Sequence, residues 1–241
     1  MTGTTERGGP PPGASAWDGG EVDRAELESR LLPVLEEARA LGLLGPGPLL
    51  PHLDHALGFG AAASADDGGG DEGLAAWGCL DLGSGGGVPG LPLAVAWPQS
   101  RWTLVDAGAR RVDFLVGAVR RMALEDRVEV VGGRAEQLAR HPRMRGCFDL
   151  VVARGFAPPA VTAECAAGFL VPGGRAVVSE PPGGRPSRWP ASGLAPLGME
   201  PDGPIEVAGA SYQVLRQRAP CPDRYPRRTG IPSKRPLFTT D

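Results

Sequence analysis

Ten residues, Asp81–Gly90 (DLGSGGGVPG), hold five glycines between two apolar runs. Glycine costs roughly 0.5–1 kcal/mol relative to alanine inside regular structure, so such a cluster signals a tight turn or a close approach that side chains would forbid. About twenty residues beyond the loop, the run RWTLVD ends in Asp106, where a carboxylate can accept hydrogen bonds from both hydroxyls of a ribose. The competing role for Asp106 is an N-cap for a helix starting near Ala109. The loop lacks the Gly-Lys-Ser/Thr ending that grips a triphosphate and its magnesium. Together these residues point to a nucleoside ligand that carries no triphosphate.

Other chemistry-bearing residues are sparse. Cys79, Cys147, Cys165 and Cys221 share no paired spacing, and the chain has neither a signal peptide nor a run of about eighteen apolar residues. That pattern is expected of reduced thiols in a soluble cytoplasmic protein. His52 and His55 lie close together, but no third or fourth ligand is spaced to complete a metal site, so none is expected. The net charge of −3 is uneven: residues 211–241 carry seven basic and two acidic side chains, a net of +5, which leaves −8 for the rest. A basic tail on an acidic body suits contact with an anion, nucleic acid included, although a solvated tail would look the same. Arginine supplies all the basic residues except Lys234, so single arginines are weak signals.

The elements that must position these groups follow from hydrophobic spacing. Leu27, Leu31, Leu35 and Ala38 fall at helical intervals within residues 21–44, where Pro33 should break or kink the helix. Residues 46–59 read as a weak helix or a loop. Short apolar runs then suit buried strands at 76–82, 102–106, 128–131, 149–153 and 175–179, with helices at 91–97, 109–124, 135–140 and 159–170 between them. Weaker strands near 194–200 and 211–216 suggest an antiparallel hairpin at the sheet edge. This alternation specifies an α/β fold: a doubly wound, mostly parallel sheet with an antiparallel edge hairpin and an N-terminal helical cap. In domain terms, residues 1–20 read as a disordered leader, 21–57 as the cap, 58–73 as a flexible Gly/Ala/Asp insertion, 74–218 as the ligand-binding domain and 219–241 as a basic tail. The glycine loop then opens the first helix at the carboxyl end of the first strand, with Pro89 suited to a helix start.

Five blocks in combination resemble one family. They are the loop Asp81–Gly90, TLVDAGARRVDFL (103–115), GRAEQL (133–138), FDLVVARGFA (148–157) with the following LVPGGR, and the ending YPRRTGIPSKRPL (225–237). The pattern resembles the bacterial 16S ribosomal RNA guanine-N7 methyltransferases, the RsmG (GidB) family, within the Rossmann-like class I methyltransferases. No single block is specific; the set is, and generic methyltransferases have no such ending.

The resemblance implies S-adenosyl-L-methionine as methyl donor and 16S ribosomal RNA or the small ribosomal subunit as partner, with no metal and no membrane. It implies donor contacts from Asp81, Gly83, Ser84, Gly85, Gly87 and Val88 on the loop. Asp106 would hold the ribose, Ala135 and Glu136 would flank the adenine, and Arg154 would meet the methionine end. No acid–base catalyst is implied, only positioning, with Arg154 as the candidate. Arg224, Arg227, Arg228, Lys234 and Arg235 would contact RNA phosphates, and the chain is expected to act as a monomer. The alternatives are a small-molecule methyltransferase or a non-catalytic RNA-binding relative. The sequence departs from the family pattern in three places. The N-terminal W-N-x-x-x-N-L-T segment is missing, with PHLDHAL (51–57) near its place. Gly155 replaces an alanine. VVSEPPGG stands where the family has A-L-K-G, so Ser179, Glu180 or Pro181 replaces a lysine. A carboxylate in that position would repel an RNA substrate.

Overall fold

The structure is a computed structural model that describes residues 22–65, 77–181 and 186–239. The expected leader and part of the expected insertion, residues 66–73, lie outside the described residues.

Two helices open the described chain. In α1 (Arg24–Ala40), Asp23 caps the first turn through Ala25 N–H, and Leu27, Leu31, Val34, Leu35 and Ala38 face the core. Pro33 breaks nothing: it sits on the exposed face, where the carbonyl it frees can bond to water. Helix α2 (Leu49–Ser64) is longer than the weak helix expected, and it corrects the flexible reading of its second half. Gly58 and Gly60 are buried, and a Cβ on either would overlap the rings of Tyr212 and Trp97 respectively. These glycines mark close packing, because only a missing side chain lets a helix lie that near an aromatic ring.

The sheet has seven strands in the order β3-β2-β1-β4-β5-β7-β6. These are β1 (Gly78–Leu82), β2 (Arg101–Asp106), β3 (Val128–Gly132), β4 (Phe148–Ala153), β5 (Leu170–Glu180), β6 (Met199–Val207) and β7 (Ala210–Gln217). β1 to β5 are parallel, and β7 and β6 add the antiparallel edge. Helices α3 (Gly90–Ala96), α4 (Ala109–Arg121), α5 (Ala135–Leu138) and α6 (Pro159–Phe169) connect the parallel strands. Two buried clusters cover the faces, one with Leu31, Leu53, Leu91 and Phe114, the other with Leu80, Val151, Ala163 and Phe169.

The strand expected near 194–200 is instead mostly helical. Short α7 (Ala191–Leu194) runs into a 3₁₀ turn (Ala195–Leu197), Gly198 takes φ +77°, and β6 starts only at Met199. Pro190 and Pro196 open those turns and outweigh the apolar content of the segment. Strand order reverses between β1 and β4, so the crevice above their carboxyl ends is where this sheet is built to bind.

Candidate active site

The glycine loop is tied down from three sides. Gly83 and Ser84 N–H both donate to Val105 O at 2.9 Å, and Gly87 N–H donates to Ser84 O at 2.7 Å. Asp81 is buried, its Oδ2 accepting from Gly90 N–H at 2.9 Å while Oδ1 finds no partner among the described residues. Burial pushes its carboxyl up to about 7, opposed by the hydrogen bond from Gly90 N–H. Gly83 (φ +77°) and Gly85 (φ +55°) take conformations that side chains resist. A Cβ on Gly83 would stand 2.6 Å from Phe156 Cδ2, so the bare loop also lets that ring lie against it.

Above the loop opens a cleft of about 550 Å³, with Gly83, Gly85, Asp106, Ala135, Glu136 and Arg154 all on its wall. The other four residues expected on the ligand, Asp81, Ser84, Gly87 and Val88, do not line it. They belong to the loop and shape it from within: Ser84 Oγ donates to Asp81 O, and Val88 packs in a small cluster with Leu35 and Ala56.

Asp106 joins the two strands that frame the cleft. Its Oδ2 accepts from Gly85 N–H at 3.0 Å, and Oδ1 accepts from Gly108 N–H at 2.8 Å and Arg111 Nε at 2.7 Å. It is not the cap of α4, a position that Gly108 takes. Arg111 is half exposed, so that contact can yield to a ligand hydroxyl while the two backbone bonds stay.

Arg154 follows β4 and lies half-buried between two pockets. Its Nη2 donates to His52 Nδ1 at 2.7 Å, and its Nη1 is buried with no partner among the described residues. An unpaired guanidinium N–H in a cleft wall is costly unless a ligand oxygen meets it, so the site fits a carboxylate at this point. His52, which sequence spacing marked only as half of a failed metal pair, thus orients Arg154. Burial, with Arg154 and His52 adding to it, pushes His55 down to about 4 and leaves it neutral at pH 7. Among the described residues no group of three or more His, Cys, Asp and Glu is placed to hold a metal.

The second pocket, about 410 Å³, shares Arg154, Gly155, Phe156 and Ala157 with the first and adds His55, Ser179, Glu180, Pro181, Arg188 and Trp189 among others. Here the expectation of a repelling carboxylate needs correction. Glu180 is ion-paired with Arg188 and accepts from Trp189 Nε1 at 3.1 Å, so its charge is neutralised. Arg188 sits in a Pro/Gly-rich stretch with no periodicity, which hid it from sequence reading.

The basic ending is no free tail. Glu164, fully buried, takes hydrogen bonds from Arg227 N, Nε and Nη2, the last at 2.6 Å. Arg145 donates to Tyr225 O and Cys221 O. Glu136 Oε1 accepts from Gly230 N–H at 3.0 Å, and Ser233 reaches the first cleft as part of short α8 (Ile231–Lys234). Of the five cations expected on RNA, Arg227 is therefore spent internally, while Arg224, Arg228, Lys234 and Arg235 are exposed.

The family model described as GidB, rRNA small subunit methyltransferase G, matches residues 71–179. Curated proteins named ribosomal RNA small subunit methyltransferase G match at 37% identity from Rubrobacter xylanophilus (65% of this chain, 64% of that one) and 37% from Roseiflexus castenholzii (66% and 70%). The chain belongs to this family. Its match spans about two thirds of the length of those curated relatives. Among solved structures, cofactor-bound Rv0187 from MTB superposes with a TM-score of 0.54 at 21% identity, over 80% of this chain and 95% of that one. The [4+2]-cyclase SpnF gives 0.53 at 16%, over 84% and 100%. These two share the fold alone, and their differing titles show that the fold leaves the chemistry open.

Proposed function

We propose that the chain transfers a methyl group from S-adenosyl-L-methionine to N7 of a guanine in 16S ribosomal RNA, acting as a monomer in the cytoplasm and without a metal. The observation that carries this reading is the pair of adjoining pockets joined at Arg154–Ala157, one suited to a nucleoside with a carboxylate and the other large enough for a base. The names of the family's curated members support the same substrate.

When bound, the donor supplies a methyl group already activated by a sulfonium. The chain's own residues then have mainly to hold and align. Asp106 accepts from the ribose hydroxyls, Gly83 and Gly85 let the ligand lie against backbone, and Arg154 Nη1 pairs with the methionine carboxylate. Ala135 and Glu136 flank the adenine. Guanine N7 carries a lone pair and no proton in the neutral base, so no general base is required. Alignment of N7 with the methyl group is the catalytic contribution that remains.

The deciding experiment is incorporation of labelled methyl groups into small ribosomal subunits and naked 16S rRNA lacking the modification, with donor binding followed in parallel. Label mapping to a guanine N7 supports the reading. Donor binding with no incorporation into either substrate overturns it in favour of a non-catalytic relative.

A further inference from the structure

The second pocket holds a cation for which donor binding has no use. Arg188 lies in a 3₁₀ turn (Pro186–Arg188), lines this pocket but not the first, and keeps about a quarter of its side chain exposed. Its Nη1 is anchored on Glu180 Oε2, and Glu180, whose side chain is 5% exposed, is held from its other oxygen by Trp189 Nε1. Trp189 is itself buried. A long, flexible side chain is thereby fixed by a packed carboxylate, and only one of its five N–H donors has a partner among the described residues. Arg154, His55 and Ser179 add polar groups where this pocket meets the first and along its wall, and the remaining walls are apolar or backbone, from Gly155, Phe156, Ala157, Pro159, Val178 and Pro181. Such walls suit a flat base better than a hydrated phosphate.

We infer that Arg188, oriented by Glu180, donates a hydrogen bond to O6 of the acceptor guanine and so selects guanine over adenine. This rests on the proposed N7 reaction. Guanine presents O6 and N7 as neighbouring acceptors on one edge, whereas adenine presents an amino group where guanine has O6. An arginine commonly grips both O6 and N7, but here N7 must face the donor, which leaves O6 for the guanidinium. The charge balance also favours an anchored pair over a lone cation. As the S–CH₃ bond breaks and the N7–CH₃ bond forms, the positive charge passes from sulfur to the purine, and no proton is released. A bare guanidinium beside that purine would oppose the step; one neutralised by Glu180 opposes it far less. Glu180 is the positioning residue, acting through Arg188.

The test measures binding of guanosine and adenosine 5′-monophosphates by ligand-observed NMR, in saturating S-adenosylhomocysteine, to the wild type, Arg188→Gln and Glu180→Gln. The wild type is expected to prefer the guanine nucleotide by about tenfold, the discrimination typical of a good base contact. Arg188→Gln should erase the preference with donor affinity unchanged, its melting temperature falling because the buried Glu180 loses its partner, and Glu180→Gln should reduce the preference. A wild type without preference, or a preference that survives in Arg188→Gln, overturns the inference. Equal loss of both nucleotides in Arg188→Gln also overturns it, by pointing to the phosphate. Because the readout is binding, it is independent of turnover. An Arg188-dependent preference in a protein that methylates nothing would sink the proposed activity and leave the base contact standing.

Discussion

Asp106 spends one carboxylate on two tasks. It closes the glycine loop against β2 through Gly85 and Gly108, and it presents the remaining acceptor capacity to the cleft. Hydrogen bonds to a charged group are each worth about 1.5–3 kcal/mol, so Asp106→Ala should weaken donor binding at least tenfold in calorimetry. A carboxylate that only shaped the helix start would leave affinity intact. Asp81 offers a different test, because it is buried and one of its oxygens has no partner among the described residues. Its carboxyl titrates near 7 in the fold against an ordinary value of 3.8. Between those values the folded chain holds a proton that the unfolded chain has lost, so this group's stabilisation is fully present below about 3.8 and disappears as pH rises through about 7. Asp81→Asn removes the titration. The melting temperature of Asp81→Asn relative to wild type should therefore rise between pH 5 and pH 8.5; a flat difference would mean that Asp81 stays charged throughout.

At the scale of elements, the C-terminal ending behaves as a strap. Glu164 on α6 and Glu136 on α5 hold it through Arg227 and Gly230, and it returns Ser233 to the first cleft. Removing one partner of a buried ion pair costs about 3–5 kcal/mol, and less here because Arg227 is a quarter exposed. Glu164→Gln should lower the melting temperature by several degrees and expose the bonds after Arg224 and Arg228 to trypsin; unchanged digestion would show that the strap is held elsewhere. Sequence spacing revealed the parallel strands and their helices well, because buried strands are short apolar runs whose period survives any partner. It misjudged α2, whose Gly58 and Gly60 resemble linker residues until Tyr212 and Trp97 are seen beside them. It also missed Arg188, Glu180 and Trp189 as a unit. Their meeting depends on a turn among prolines and glycines, and no local periodicity encodes it.

On the proposed reading, charge across the whole molecule is divided between a donor side with an acid at Asp106 and a surface suited to a polyanion. The chain's net charge of −3 would disfavour RNA if it were spread evenly. The ending instead concentrates cations beside the cleft, and the fold sorts them by duty. Arg227 points inward to Glu164, whereas Arg224, Arg228, Lys234 and Arg235 face solvent. Each phosphate contact on single-stranded RNA contributes about 0.7 to the slope of log affinity against log salt. Replacing the four exposed cations with glutamine should flatten that slope by up to about 3, with stability and donor affinity unchanged. Arg227→Gln should do the reverse, lowering stability while leaving the slope nearly as it was. A slope that responds to Arg227 and ignores the other four would mean that the strap opens on RNA and that Glu164 releases its arginine to the substrate.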